Sequence, residues 1–164
     1  MLARIEIPGK LPTMNEYNGA QRANRVHGAR MKRKTQDSII DYCWGIPSFA
    51  RIKHVYVGFV WVRADRRSDK DNVATGKKFV LDALQEAGIL SNDSWKLCTP
   101  YDLGYMVNPR NPRTIVYIST DLDEIMQEIG GLGAPRLETG RLDGGRSNKT
   151  TGTGRNHEGK RYSK

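Results

Sequence analysis

Apolar and polar residues alternate over residues 2–7, LARIEI, as on a strand with one buried face, and PGKLP then breaks the pattern. A long polar loop is expected next. From about Lys34 to Trp44, the apolar residues Ile39, Ile40, Cys43 and Trp44 recur at helical spacing, and Gly45 with Pro47 ends the predicted helix. Residues 52–62, IKHVYVGFVWV, are rich in β-branched and aromatic residues and predict the clearest strand of the chain. Beyond Asn72, the residues Val73, Val80, Leu81, Leu84 and Ala87 share one helical face, with Gly88 at the C′ position. This predicts a helix over 73–87, whose first turn Gly76 weakens. GILSNDSWK reads as a loop, 96–107 as holding a strand, VNPRNPR as a turn and TIVYIS, 114–119, as a strand. DLDEIMQEI, 121–129, predicts a final short helix with acidic residues at the end where its dipole favours them.

From Gly130 the pattern stops. The remaining segment has few large apolar residues and carries eight Lys and Arg against three acidic residues, so it lacks the apolar surface to offset the entropy of ordering. The expectation is one domain over residues 1–129 and a Gly-rich basic disordered tail over 130–164, serving as a spacer or for weak attraction to nucleic acid. A length of 164 residues suits one core. The expected fold class is α/β of the α+β type, a small mixed sheet packed by two main helices. No apolar run reaches the roughly 18 residues that cross a bilayer, and MLARIEIPGK contains no apolar signal segment. A soluble, cytoplasmic protein with no membrane partner is expected. Cys43 and Cys98 have no zinc or disulfide spacing and read as small buried residues.

Charge changes the picture more. The formal net charge is +9, which points first to nucleic acid as partner, then to anionic membrane or acidic protein. Between Glu16 and Asp37 stand Arg22, Arg25, Arg30, Lys32, Arg33, Lys34 and His27 with no acidic residue among them. Interleaved with Gly, Asn and Gln, such a run suits a loop that contacts phosphates.

Against this background RRSDKDN, residues 66–72, places Asp69 and Asp71 two apart among Arg66, Arg67 and Lys70. If the preceding strand continues through them, both carboxylates face one way, an arrangement stable only with a cation or a shared proton between them. Hard divalent cations take such oxygen ligands. An EF-hand is excluded because Val73 and Ala74 occupy the positions where that loop needs Asp or Asn and Gly. The plainer reading is that DKDN caps a helix, with Asn72 as the N-cap.

The longer segment DKDNVATGKKFVLDALQEAGILSNDSWK resembles the RusA family of Holliday junction resolvases, supplying in order Asp69, Asp71, Asn72, Lys78, Asp82-Ala83-Leu84, Ala87-Gly88 and Asp93. Counting back from Asp82 selects Lys78 over Lys77 as the family lysine. IPGKLPTMNEYNGAQRANRVHGARMKRK is similar to the family's first strand, its Pro, Asn and Tyr segment and its basic loop, which adds Asn15 to the expected DNA contacts. The resemblance spans residues 3–120. It implies a homodimeric, Mg²⁺-dependent endonuclease, with Mn²⁺ as a substitute, that cuts symmetrically related strands of a four-way DNA junction.

On this reading Asp69, Asp71 and Asp93 hold the metal, Lys78 stabilises developing charge or orients the nucleophile, and Asp82 is structural, bonded to a nearby Lys or to backbone. The expected DNA contacts are Asn15, Arg22, Arg25, Arg30, Lys32, Arg33, Arg66, Arg67 and Lys70. A helix of some 15 residues is about 22 Å long, so Asp71 and Asp93 leave opposite ends of it. Either the following loop folds back, or a second subunit supplies Asp93. Two other readings are a DNA-binding protein without catalysis and, more remotely, a D-x-D motif for a nucleotide sugar, for which the chain has no room. Trp61 is expected in the core; Trp44 and Trp95 could serve there or stack on bases.

Overall fold

In the computed structural model, which describes residues 1–131, four strands form one mixed sheet in the order β1-β4-β2-β3. β1 (Leu2–Pro8) pairs antiparallel with β4 (Arg113–Ser119), β4 pairs antiparallel with β2 (Val55–Arg63), and β2 pairs parallel with β3 (Cys98–Val107). The sequence pattern of each strand follows its place. β2 and β4 are central, covered on both faces, and read as unbroken apolar runs; β1, at one edge, alternates. The architecture is the expected α+β class.

Along β2, Val57, Phe59 and Trp61 belong to the larger core, with Ile39 from α2 (Arg25–Ile40) and Phe79, Val80, Ala83 and Leu84 from α4 (Gly76–Glu86). Val60 and Val62 point the other way, into a smaller core closed by Ile125 and Ile129 of α5 (Leu122–Gly131). The two main packing helices are thus α2 and α4, with α5 sealing the opposite face. α5 includes Gly130 and Gly131, so the first two residues of the expected tail belong to it, and residues 132–164 lie outside the described residues.

The expected polar loop is helical. α1 (Met14–Ala23) begins with a capping box: the Thr13 side chain accepts from the Glu16 N–H, and the Glu16 carboxylate accepts from the Thr13 N–H at 2.9 Å. Asn24 ends α1 and caps α2, its Oδ1 accepting from the Val26 N–H at 2.8 Å. α2 therefore starts at Arg25, well before Lys34. Neither helix shows a long apolar stripe, since α1 buries Ala20 alone and α2 buries Gly28, Gln36 and Ile39. Instead they pack on each other and on Phe79, whose ring meets Tyr17 edge to face at 5.4 Å. Trp44 lies past a 3₁₀ turn (Asp41–Cys43) and is 91% exposed, so it leaves the core face on which its spacing placed it.

The helix expected over 73–87 is two helices, α3 (Lys70–Ala74) and α4, joined at Thr75. The Thr75 hydroxyl donates back to the Asp71 carbonyl at 3.3 Å, a bond that competes with the helical ladder and bends it. Gly76 is required by close approach. A Cβ there would stand 3.0 Å from the Trp61 ring. Gly88 follows α4 in the left-handed region, with φ at 70°.

Candidate metal and nucleic-acid site

The strand preceding the acidic motif does not run into it. β2 ends at Arg63, opposite Val107 at the end of β3 and next to Val62, which faces Arg113 at the start of β4. With no ladder partner beyond these residues the backbone leaves the sheet, and its polar groups are satisfied by helix instead. Asp69 is the N-cap residue of α3, in an extended conformation, and Asp71 lies in the first turn. The expected extended pair on one strand face is therefore corrected to a cap and a helical residue. Asn72 is likewise inside the turn and is not the cap.

Asp69 makes no capping hydrogen bond through its side chain. Among the described residues neither the Asp69 nor the Asp71 carboxylate has a hydrogen-bond or ion-pair partner, the one contact at Asp71 being through its backbone carbonyl. Two negative groups at the start of a helix lie where the dipole tolerates them. They are free to accept a cation or a donor.

Beside them opens a cleft of about 710 Å³, walled by Asp65, Arg66, Asp69 and Lys70 on one side and by Asp102 to Val107 of β3 on the other. Asp102 was not anticipated from the sequence. It sits opposite Phe59, and a bulge follows, because Val60 pairs with Gly104 and Leu103 is left over. The extra residue puts Asp102 and Tyr105 on the same face of the sheet, whereas Leu103 packs with the smaller core. Gly104, an isolated glycine within CTPYDLGYMV, is the one sequence signal of the bulge and could have drawn attention to Asp102.

Asp102 holds two donors. Trp61 Nε1 donates to its Oδ1 at 2.9 Å, and Lys77 Nζ donates to its Oδ2 at 2.5 Å. Tyr105 lies between this pair and α3: its hydroxyl donates to the Lys70 carbonyl at 3.4 Å, and the Lys70 ammonium stands 5.4 Å from its ring centre. Burial, then the charges of Asp102 and Asp71, push the Tyr105 hydroxyl up to about 12. Both carboxylates therefore act on one phenol. Lys78 is exposed and has no ion-pair partner among the described residues.

Asp93 lies elsewhere. Its charge, after burial, helps push the Cys98 thiol up to about 11, and Cys98 pairs with Val55 at the opposite end of β2 from Arg63. The loop from α4 is pinned there by Ile89 and Leu90, both buried, whose N–H groups donate to the Leu84 carbonyl, and by Phe49, which donates to the Ile89 carbonyl. It does not fold back along its own helix. Among the described residues no three His, Cys, Asp or Glu side chains come close enough to share a metal ion. A pair of carboxylates is nevertheless a sufficient protein contribution for Mg²⁺, which keeps several waters and uses substrate phosphate oxygens as further ligands. Asp69 and Asp71 have the oxygen donors for such an ion and no competing partner among the described residues; Asp69 lines the cleft, and Asp71 stands two residues on in the first turn of α3.

The basic residues divide into free and committed ones. Arg22, Arg25 and Lys32 line a groove of about 790 Å³ between α1 and α2, together with Tyr17, Asn18 and Gln21. Arg22, Arg25 and Arg30 have no ion-pair partner among the described residues, whereas Lys32 pairs with Asp82 at 2.8 Å, and Arg33 with Glu86 at 2.7 Å and Asp37 at 3.0 Å. Asp82 is bonded to a nearby lysine. Its carboxylate holds the Lys32 ammonium, raising that group's affinity for its proton. Arg67 stands 3.6 Å from Asp65, and Arg66 and Lys70 face the cleft. Asn15 lies in the first turn of α1, exposed. Trp95 is 95% exposed, and Trp61 is buried in the core as expected.

No profile of a known protein family matches the chain. No curated protein matches it either. Among the described residues no helix is long and apolar enough to cross a membrane.

Proposed function

We propose that the chain is a Mg²⁺-dependent, structure-selective DNA endonuclease that resolves four-way junctions by paired, symmetric cuts, acting as a homodimer in recombination and repair. The observation that carries this reading is the Asp69 carboxylate, without a partner among the described residues, lining a cleft with Asp102, Arg66 and Lys70, and Asp71, likewise without one, two residues further along α3. Asp69 and Asp71 carry the oxygen donors that a hard divalent cation takes, with no protein donor competing for them among the described residues.

Arg66 and Lys70 would draw in the DNA backbone, and the groove of Arg22 and Arg25 would hold it further along the duplex. Asp69 and Asp71 would hold Mg²⁺. When bound, the ion would supply charge neutralisation at the scissile phosphate and a more acidic water. In hydrolysis the water oxygen bonds to phosphorus, one P–O ester bond breaks and a proton reaches the leaving alkoxide. The residues of the cleft need only orient and neutralise. Asp93 enters this scheme through a second copy of the chain, since its own loop is held at the other end of the sheet.

That separation of Asp93 also favours a second reading, a DNA-binding protein without catalysis. Incubating a synthetic four-way junction with and without Mg²⁺ separates the two. Symmetric paired nicks near the crossover support the nuclease, and Asp71→Asn should then abolish them and leave junction binding intact. Binding without cuts by the wild type would favour the second reading.

A further inference from the structure

We propose that Asp102 is a positioning residue of the cleft, which fixes Lys77, and not Lys78, as the cation presented to the bound phosphodiester. The inference rests on the nuclease reading above.

The geometry builds it from the core outward. Trp61 is buried, 1% exposed, and its ring is stacked on Phe59 with centroids 5.4 Å apart and planes 7° from parallel. An indole held in this way has one direction for its N–H, and that N–H meets Asp102 Oδ1 at 2.9 Å. The carboxylate is thereby oriented by the rigid interior, and its second oxygen takes the Lys77 ammonium at 2.5 Å. The pair is about three-quarters covered at both ends, 27% exposed each. A lysine on a surface helix ordinarily samples many rotamers; this one is tethered through two contacts to the packed face of β2. Gly76 lets the arrangement form by leaving space for the Trp61 ring against the start of α4.

The chain also sets an alternative directly beside Lys77. Lys78 follows it on the same helix, exposed and without an ion-pair partner among the described residues. Successive residues on a helix point about 100° apart, so only one of the two can share the direction of Asp102. Asp102 in turn lines the cleft that Asp69 borders. The bulge at Leu103 is the device that turns Asp102 to this face; without it Asp102 and Tyr105 would stand on opposite faces of β3.

The test has two arms on the same proteins. In the first, the folded chain is acetylated briefly and the lysines are read by mass spectrometry. Lys77 should react several-fold more slowly than Lys78 in the wild type and become as reactive as Lys78 in Asp102→Asn, which keeps the acceptor for Trp61 but loses the charge that holds the ammonium. In the second, cleavage of a four-way junction in Mg²⁺ is measured under saturating and sub-saturating enzyme. Lys77→Ala should lower the cleavage rate on the order of a hundredfold. Asp102→Asn should lower it about tenfold or more, with junction affinity within about twofold of wild type. Lys77→Arg should recover part of the rate.

Equal acetylation of Lys77 and Lys78 in the wild type would overturn the tether itself. Cleavage by Asp102→Asn at the wild-type rate, or loss in Lys78→Ala alone, would overturn the positioning role and leave the nuclease reading standing. A wild type that leaves the junction uncut would refute the nuclease reading, and with it any part for Lys77 in cleavage. Thermal melting of Asp102→Asn and of Lys77→Ala near the wild type assigns any loss of rate to the cleft and not to the fold.

Discussion

The division of the basic residues into free and committed ones can be read directly from the salt dependence of DNA binding. Each cation that neutralises a DNA phosphate releases a counterion, so the slope of log K against log salt changes by about 0.9 per contact on duplex DNA. Arg22 and Arg25 share one groove and have no ion-pair partner among the described residues, so the double substitution Arg22→Gln, Arg25→Gln should make the slope shallower by about 1.8. Between about 50 and 200 mM salt, a fourfold change, the wild type should then lose roughly twelvefold more affinity than the double variant. Arg33 is the internal comparison. It is held by Glu86 and Asp37, and its substitution by Gln should move the slope by no more than about half of one contact. Fluorescence anisotropy with a labelled four-way junction, in Ca²⁺ or EDTA to suppress cleavage, gives the slopes. A double variant with the wild-type slope would show that the groove between α1 and α2 does not touch phosphates, and a full unit of change in Arg33→Gln would show that ion pairing does not withdraw it from the DNA.

Four further outcomes test the fold. Ile125→Ala removes three carbons from a side chain with no exposed surface, at about 0.8 kcal/mol each plus the cavity left behind, so chemical denaturation should show a loss of about 3–4 kcal/mol; a loss below about 1 kcal/mol would mean that α5 does not seal the sheet. Thr13→Ala should lower stability by about 1 kcal/mol through the capping box. Its partner Glu16 is held below the usual carboxylate range first by Lys10 and then by the Thr13 N–H, so its stabilising contribution is present above its ordinary value and fades as pH falls through the depressed one; Glu16→Gln should flatten the acid limb of a stability–pH profile below about pH 4.5. Burial and Asp93 push the Cys98 thiol up to about 11, so the folded state favours the protonated thiol and loses stability as pH rises from about 9 through 11; Cys98→Ala should remove that part of the alkaline limb, and an unchanged limb would place the thiol in water.

Strands and the long apolar helix faces were legible because they bury large side chains at regular spacing. IKHVYVGFVWV announced β2, and the face of Val80, Leu81 and Leu84 announced α4. The helical hairpin of α1 and α2 was not, since its burial falls on Ala20, Gly28, Gln36 and Ile39, a set with no apolar stripe. A local signal was present all the same in TMNE, where Thr13 and Glu16 form the capping box. For the site, the motif identified Asp69 and Asp71, and placed them on the wrong element, because a strand ends where its partners end, and those partners lie forty and more residues downstream.

By itself the sequence determined what depends on residue type and on near neighbours: the central strand, the apolar face of α4, the one-signed charge of the chain and the two carboxylates set among cations. Only the tertiary structure decided what depends on long-range register. The parallel pairing of β2 with β3, with its one-residue bulge, turned Asp102 toward Lys77; the anchoring of Ile89 and Leu90 held Asp93 at the far end of the sheet; and Asp82 and Glu86 took Lys32 and Arg33 into ion pairs, whereas Arg22 and Arg25 have no ion-pair partner among the described residues. Each of these is a contact between segments distant along the chain, and neither spacing nor composition encodes which of two neighbouring lysines will face a carboxylate that folding brings to it.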